Sequence, residues 1–104
     1  MLALWPGIAG AEEAWRTLKG AEIQAALAAR VVQYEDGTRQ DFMADGRTLY
    51  GQASWGSWRV EGDEYCSVWP PSDRWGCYGM EARGLEVRFS DGGVPLVGKY
   101  VDLQ

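Results

Sequence analysis

The sequence predicts a mainly β fold: a single antiparallel meander of about eight strands curled into a small barrel, closed or incomplete, with a helix in front of it. Three observations carry this. Turn pairs recur along the second two-thirds of the chain, at Asp36-Gly37, Asp45-Gly46, Gly62-Asp63, Arg83-Gly84 and Asp91-Gly92, and such pairs favour the positive φ that hairpin turns require. The run Leu85-Glu86-Val87-Arg88-Phe89-Ser90 alternates strictly between apolar and polar residues, which puts Leu85, Val87 and Phe89 on one buried face. A meander of this length tends to close on itself, because closure removes exposed strand edges.

The elements follow in order. MLALWPGIAGA is apolar and ends in the small-x-small triplet Ala9-Gly10-Ala11, yet it lacks a basic lead and Pro6 shortens its apolar part. Two readings fit residues 1–11: the back half of an export signal, or an apolar lead-in to the fold. Residues 12–104 then form one domain, as a chain of 104 residues supports one modest core. Glu12 to Ala29 holds mostly good helix formers, and Ile23, Ala26, Leu27 and Arg30 recur at helical spacing. One helix is therefore expected across about 12–29, broken or bent near Gly20. Glu22 stands where the third residue of a capping box belongs, but Lys19 at the cap cannot accept a backbone hydrogen bond, so a loose start is expected. The β-meander occupies 30–104, with strands expected near Val31 to Tyr34, Arg39 to Met43, Thr48 to Gly51, Gly56 to Val60, Glu64 to Trp69, Gly76 to Glu81, Leu85 to Ser90 and Leu96 to Val101.

Composition narrows the function. With 46% hydrophobic residues the chain carries enough apolar matter to fold, and its net charge of −5 repels phosphate backbones and anionic lipid. Neither nucleic acid nor a membrane span is expected, since no apolar run reaches bilayer length. The absence of histidine removes Ser/His and Cys/His catalytic pairs, and QASWG lacks the first glycine of a nucleophile elbow. Asp36, Asp45, Asp63 and Asp91 sit in expected turns, where their task is local hydrogen bonding, and Glu61, Asp63 and Glu64 suit a solvated hairpin tip better than an acid/base pair. No catalytic residue and no cofactor is assigned, and the protein is expected not to be an enzyme.

The only cysteines, Cys66 and Cys77, lie in YCSVWPPSDRWGCY. A metal clip needs more ligands than a chain without histidine or a second cysteine pair offers, and no calcium loop appears, so no metal site is expected. A redox pair would need Cys-x-x-Cys at a helix start. What remains is a disulfide across adjacent antiparallel strands, with two reduced buried thiols as the plain alternative. Such a bond persists in oxidising compartments, which points to the periplasm or to secretion.

The loop that the cysteines close carries Trp69, Pro70, Pro71, Arg74 and Trp75. The prolines mark where strand pairing stops, and the tryptophans and arginine are types that anchor interfaces. Parity separates the two tryptophans: in regular strands Trp75 faces with the cysteines and Trp69 faces away. One is expected to plug an end of the barrel, the other to be free for recognition. In SWGSW, Trp55 and Trp58 are candidates for lining a cavity or sealing an end, against a plain core role for Trp58; Gly56 between them allows a close backbone approach.

The order DGTRQDFMADGRTLY, then GSWRVEGDEYC, then a second cysteine resembles a group of small exported bacterial proteins of unknown function with a lipocalin-like β-meander. Phe42, Asp45, Gly46, Gly56, Trp58, Val60, Gly62, Asp63, Cys66 and Cys77 carry the likeness, and LKGAEIQAAL is similar to the helix that precedes those motifs. It spans most of residues 18–100 and implies fold and export, with no catalytic residue to transfer. Lys19 and the weak leader depart from the pattern.

The reading that results is a small exported, non-enzymatic binding module for an apolar or aromatic ligand. The alternative is a protein-protein device, an inhibitor of a periplasmic enzyme or an accessory subunit, that presents the stapled loop to a partner. The first expects a cavity lined from several strands; the second expects a filled barrel with an exposed apolar patch around Pro70 and Pro71.

Overall fold

The computed structural model describes residues 14–102, so the expectations for residues 1–11, and for the helix at residues 12 and 13, lie outside the described residues. The chain runs through β1 (Arg16–Leu18), α1 (Ala21–Leu27), β2 (Arg30–Tyr34), β3 (Arg39–Phe42), β4 (Arg47–Tyr50), β5 (Ser54–Glu61), β6 (Glu64–Val68), β7 (Gly76–Arg83), β8 (Glu86–Ser90) and β9 (Leu96–Tyr100). Strands β2 to β9 pair with their sequence neighbours, and β9 returns to β2 with Val32 opposite Tyr100 and Tyr34 opposite Gly98. The result is a closed, eight-stranded, antiparallel up-and-down barrel plus one extra strand.

Turn chemistry builds it as expected. Gly37 and Gly46 take φ of 92° and 97°, and the preceding aspartates close their turns: Thr38 N donates to Asp36 Oδ1 at 2.9 Å and Arg47 N to Asp45 Oδ1 at 3.1 Å. These bonds favour the ionised carboxylate and hold both aspartates below the usual carboxylate range.

The helix departs from expectation. Residues 16–18, expected to be helical, form β1, whose Thr17 lies opposite Glu81. The cause is tertiary. Strand β7 outruns β6, since Tyr65 opposite Tyr78 is the last β6–β7 pair, and β1 takes up the edge left at Met80 to Ala82. Gly20, at φ 46° and ψ −117°, then turns the chain, and α1 starts with no side-chain cap. The cap is Gly20 and not Lys19, and Glu22 Oε1 accepts from Lys19 N, one residue before the cap, at 3.0 Å.

Alternation sends the even-numbered residues of β2 to β5 and β7 inward, and the odd-numbered residues of β6 and β8. Phe42 sits at the middle of the core, edge-on to Trp58 and Tyr65 at 5.8 Å each. One end is capped by α1, whose Ile23 and Leu27 are fully buried and whose Ala26 carbonyl accepts from Tyr100 Oη at 2.7 Å. Of the three residues expected on the buried face of β8, Val87 and Phe89 are inside, but Leu85 is 51% exposed. It stands in the turn before the strand, where the alternation no longer governs its direction. No helix among the described residues is long and apolar enough to cross a membrane.

Candidate functional site

In an up-and-down barrel, every second strand ends at the same rim. The rim opposite α1 is where β2, β4, β6 and β8 finish and β3, β5, β7 and β9 begin. Their inward residues at this level enclose a cavity of about 390 Å³, within the range of small-molecule sites.

Its floor is a closed hydrogen-bond network. Tyr34 Oη donates to Gln40 Oε1 at 2.6 Å, and Gln40 Nε2 donates to Thr48 Oγ1 at 2.9 Å and to Tyr65 Oη at 3.2 Å. Thr48 Oγ1 in turn donates to the Asp41 carbonyl at 2.7 Å. Among the described residues no buried side-chain polar atom lacks a partner, which is what burying a glutamine requires. Burial pushes the Tyr34 phenol far above its ordinary range, with Tyr65 and Tyr50 adding to the effect. Tyr65 is raised by burial too, against the bonds to Ser67 and Gln40. The floor is therefore neutral at physiological pH.

Six rings run round the wall in an unbroken arc. Trp69 stands 6.0 Å from Tyr50, Tyr50 6.0 Å from Tyr34, Tyr34 6.4 Å from Phe89, Phe89 5.1 Å from Tyr65, and Tyr65 6.2 Å from Tyr78. Trp69 Nε1 donates to Ser67 Oγ at 3.2 Å, which fixes the indole at the mouth. Two glycines make room for the arc. A Cβ at Gly56 would come within 2.6 Å of the Trp69 ring, and one at Gly98 within 3.0 Å of the Tyr34 ring. Ser54, Asp91, Val94 and Leu96 form the rim.

The disulfide lies on the other side of this wall. Cys66 and Cys77 face each other across β6 and β7 and are bonded at 2.06 Å. The adjacent pair, Tyr65 opposite Tyr78, points inward, so the covalent link buttresses from outside two of the rings that line the cavity.

The residues singled out in the sequence separate accordingly. Trp69 lines the cavity. Pro70, Pro71 and Arg74 are exposed at the loop tip, with the Pro70-Pro71 peptide bond cis. Trp75 lies on the disulfide's face, under Arg59 at 3.8 Å. Trp58 is core, its Nε1 donating to the Met43 carbonyl at 2.9 Å. Trp55, expected to line the cavity or seal an end, points outward instead and is 47% exposed, with Arg47 over its ring at 5.5 Å. The reason is parity: with Gly56 and Trp58 inward, Trp55 must face solvent.

Sequence reasoning missed most of the lining. Four of the five tyrosines, Tyr34, Tyr50, Tyr65 and Tyr78, line this one cavity. A signal was present in their places on the strands, since Tyr34 and Tyr50 close strands that end at the open rim and Tyr78 lies near the start of one. Compared with protein-family models, with curated proteins and with solved structures, the chain matches none of them. The barrel and the disulfide implied by the resemblance are present, and they stand on the geometry alone.

Proposed function

We propose that this protein is a non-enzymatic binding module that takes a small apolar or aromatic ligand into the open end of its barrel. The observation that carries the reading is the cavity of about 390 Å³ with six aromatic rings on its wall and a saturated polar network as its floor. A barrel whose side chains served only as core would have no reason to leave that volume open, because interiors otherwise close to crystal density. The loop-presenting device expects a filled barrel, so the cavity favours the ligand-binding reading over it. The polar atoms of the floor bond to one another, which supports a holding role for this surface. Export to an oxidising compartment, as in the small bacterial proteins that the sequence resembles, belongs to the same proposal and is supported by the Cys66–Cys77 bond.

Titration with 2-naphthol, followed by tryptophan fluorescence, tests the reading. Saturable quenching that is lost in Trp69→Ala, while far-UV circular dichroism is unchanged, is the expected result. An absence of binding by 2-naphthol and by the probes described below would remove the proposal.

A further inference from the structure

Four aromatic rings outside the cavity have arginines of their own. Arg59 lies over Trp75 at 3.8 Å, Arg83 and Arg88 over Trp15 at 4.2 and 4.3 Å, Arg47 over Trp55 at 5.5 Å and Arg30 over Tyr100 at 5.7 Å. The six rings of the cavity have no such partner among the described residues. Ring quadrupoles attract a cation wherever one can reach them, and more strongly where water is thin, so the six rings of the cavity form an aromatic surface left without a cation.

The rest of the lining agrees in sign. Among the described residues no lysine or arginine lines the cavity, and Asp91 is the one acidic side chain on its rim. The chain as a whole carries a net charge of −5. An anionic ligand would find no donor of opposite charge and would enter against the field. A bare metal ion would need oxygen ligands, but the polar atoms of the floor already bond to one another, and the described residues bring together no group of three or more histidine, cysteine, aspartate or glutamate side chains. What suits aromatic walls without free ligands is a weakly hydrated cation whose charge is spread over alkyl groups.

We propose that the cavity takes an organic cation, an alkylated ammonium group of the trimethylammonium kind, held by the arc of rings and drawn in past Asp91. The inference rests on the reading of the open end as a binding site and goes further by fixing the charge of the ligand.

Choline and 3,3-dimethylbutan-1-ol differ by one atom, nitrogen for carbon, and so by one charge at nearly the same shape. Calorimetric titration of the whole chain with each is expected to give choline an affinity at least about tenfold higher. Asp91→Asn at the exposed rim should weaken choline severalfold and leave the alcohol unchanged, and Tyr50→Leu with Trp69→Leu should erase the preference. Should the double variant lose its fold by circular dichroism, Asp91→Asn alone carries the variant test. If 2-naphthol binds while the alcohol matches choline, or while neither binds, the cation assignment falls and the binding site stands. If 2-naphthol, choline and the alcohol all fail to bind, both readings fall together.

Discussion

The two ends of this barrel are made from the same strands and finished in opposite ways. At one end α1 drops Ile23 and Leu27 into the space beside Phe42 and Trp58, and Tyr100 ties the helix down through the Ala26 carbonyl. At the other end no element among the described residues covers the strands, and the inward positions carry Tyr34, Tyr50, Trp69 and Tyr78. Aliphatic residues of a plug can interdigitate to crystal density, whereas flat rings fixed by hydroxyl and indole hydrogen bonds hold their places without filling the space between them. The difference teaches how one set of strands can be packed at one end and left hollow at the other, and the proposed function assigns stability to the first and binding to the second. The floor network of Tyr34, Gln40, Thr48 and Tyr65 is the boundary between the two.

The sharpest way to break that division is to hollow out the filled end. Phe42→Ala should cost about 3 to 5 kcal/mol in urea denaturation, because Phe42 is fully buried against Trp58, Tyr65 and Phe89. A loss below about 1 kcal/mol would mean that this end is not the stabilising one. Next in size is the staple. Replacing both Cys66 and Cys77 by serine frees a loop closed across a sequence separation of 11, which should lower stability by about 3 kcal/mol. Binding of 2-naphthol should weaken as well, since the bond backs Tyr65 and Tyr78; an unchanged affinity would detach the disulfide from the site.

The boundary responds more mildly. Gln40→Leu leaves the Tyr34 and Tyr65 hydroxyls without their buried partner, for a cost of about 1 to 3 kcal/mol in the same denaturation experiment. Alkali probes the phenols without mutation. Burial raises Tyr34, Tyr65 and Tyr100 above the unfolded value. Their contribution is therefore complete below a pH of about 10 and is lost as pH climbs from there through the raised folded values. Thermal midpoints should stay level from neutrality to the onset of phenol ionisation and fall above it, and Tyr34→Phe should flatten the fall. A midpoint indifferent to alkali would contradict the buried placement.

The smallest effect on stability belongs at the mouth. Trp69→Ala should change the unfolding free energy by about 1 kcal/mol, because the indole is only partly buried at the mouth, yet reduce 2-naphthol affinity by more than about tenfold. Equal losses in both would erase the distinction between the two ends.

Much of the fold was legible from short-range rules. Asp36-Gly37 and Asp45-Gly46 name their hairpins because positive φ and a carboxylate beside its own backbone are local requirements. Cys66 and Cys77 were legible for a similar reason, since a hairpin dictates which residues meet. Where local propensity competed with distant partners, it lost. Residues 16–18 read as helix because their neighbours are helix formers, and they became β1 because β7 had an unpaired edge. Leu85 read as core because the alternation runs through it, and it is exposed because the turn at Gly84 displaces the start of β8. The candidate site was less legible still. Trp69 was a named candidate that parity separated from Trp75 without deciding which of the two enters the barrel, and Tyr34, Gln40, Tyr50, Tyr78 and Phe89 are scattered along the chain, so that only closure brings them together.

By itself the sequence determined strands β2 to β9, the turns between most of them, the pairing of Cys66 with Cys77 and the inward or outward side of most strand residues, because each depends on neighbours a few positions away. Only the tertiary structure decided that β9 returns to β2, that α1 blocks one end and that four tyrosines from distant strands surround a single empty space at the other. The physical reason is closure. Strand periodicity fixes inward or outward, but the height at which each inward side chain sits, and the neighbours it meets across the barrel, are set only once the last strand has bonded to the first.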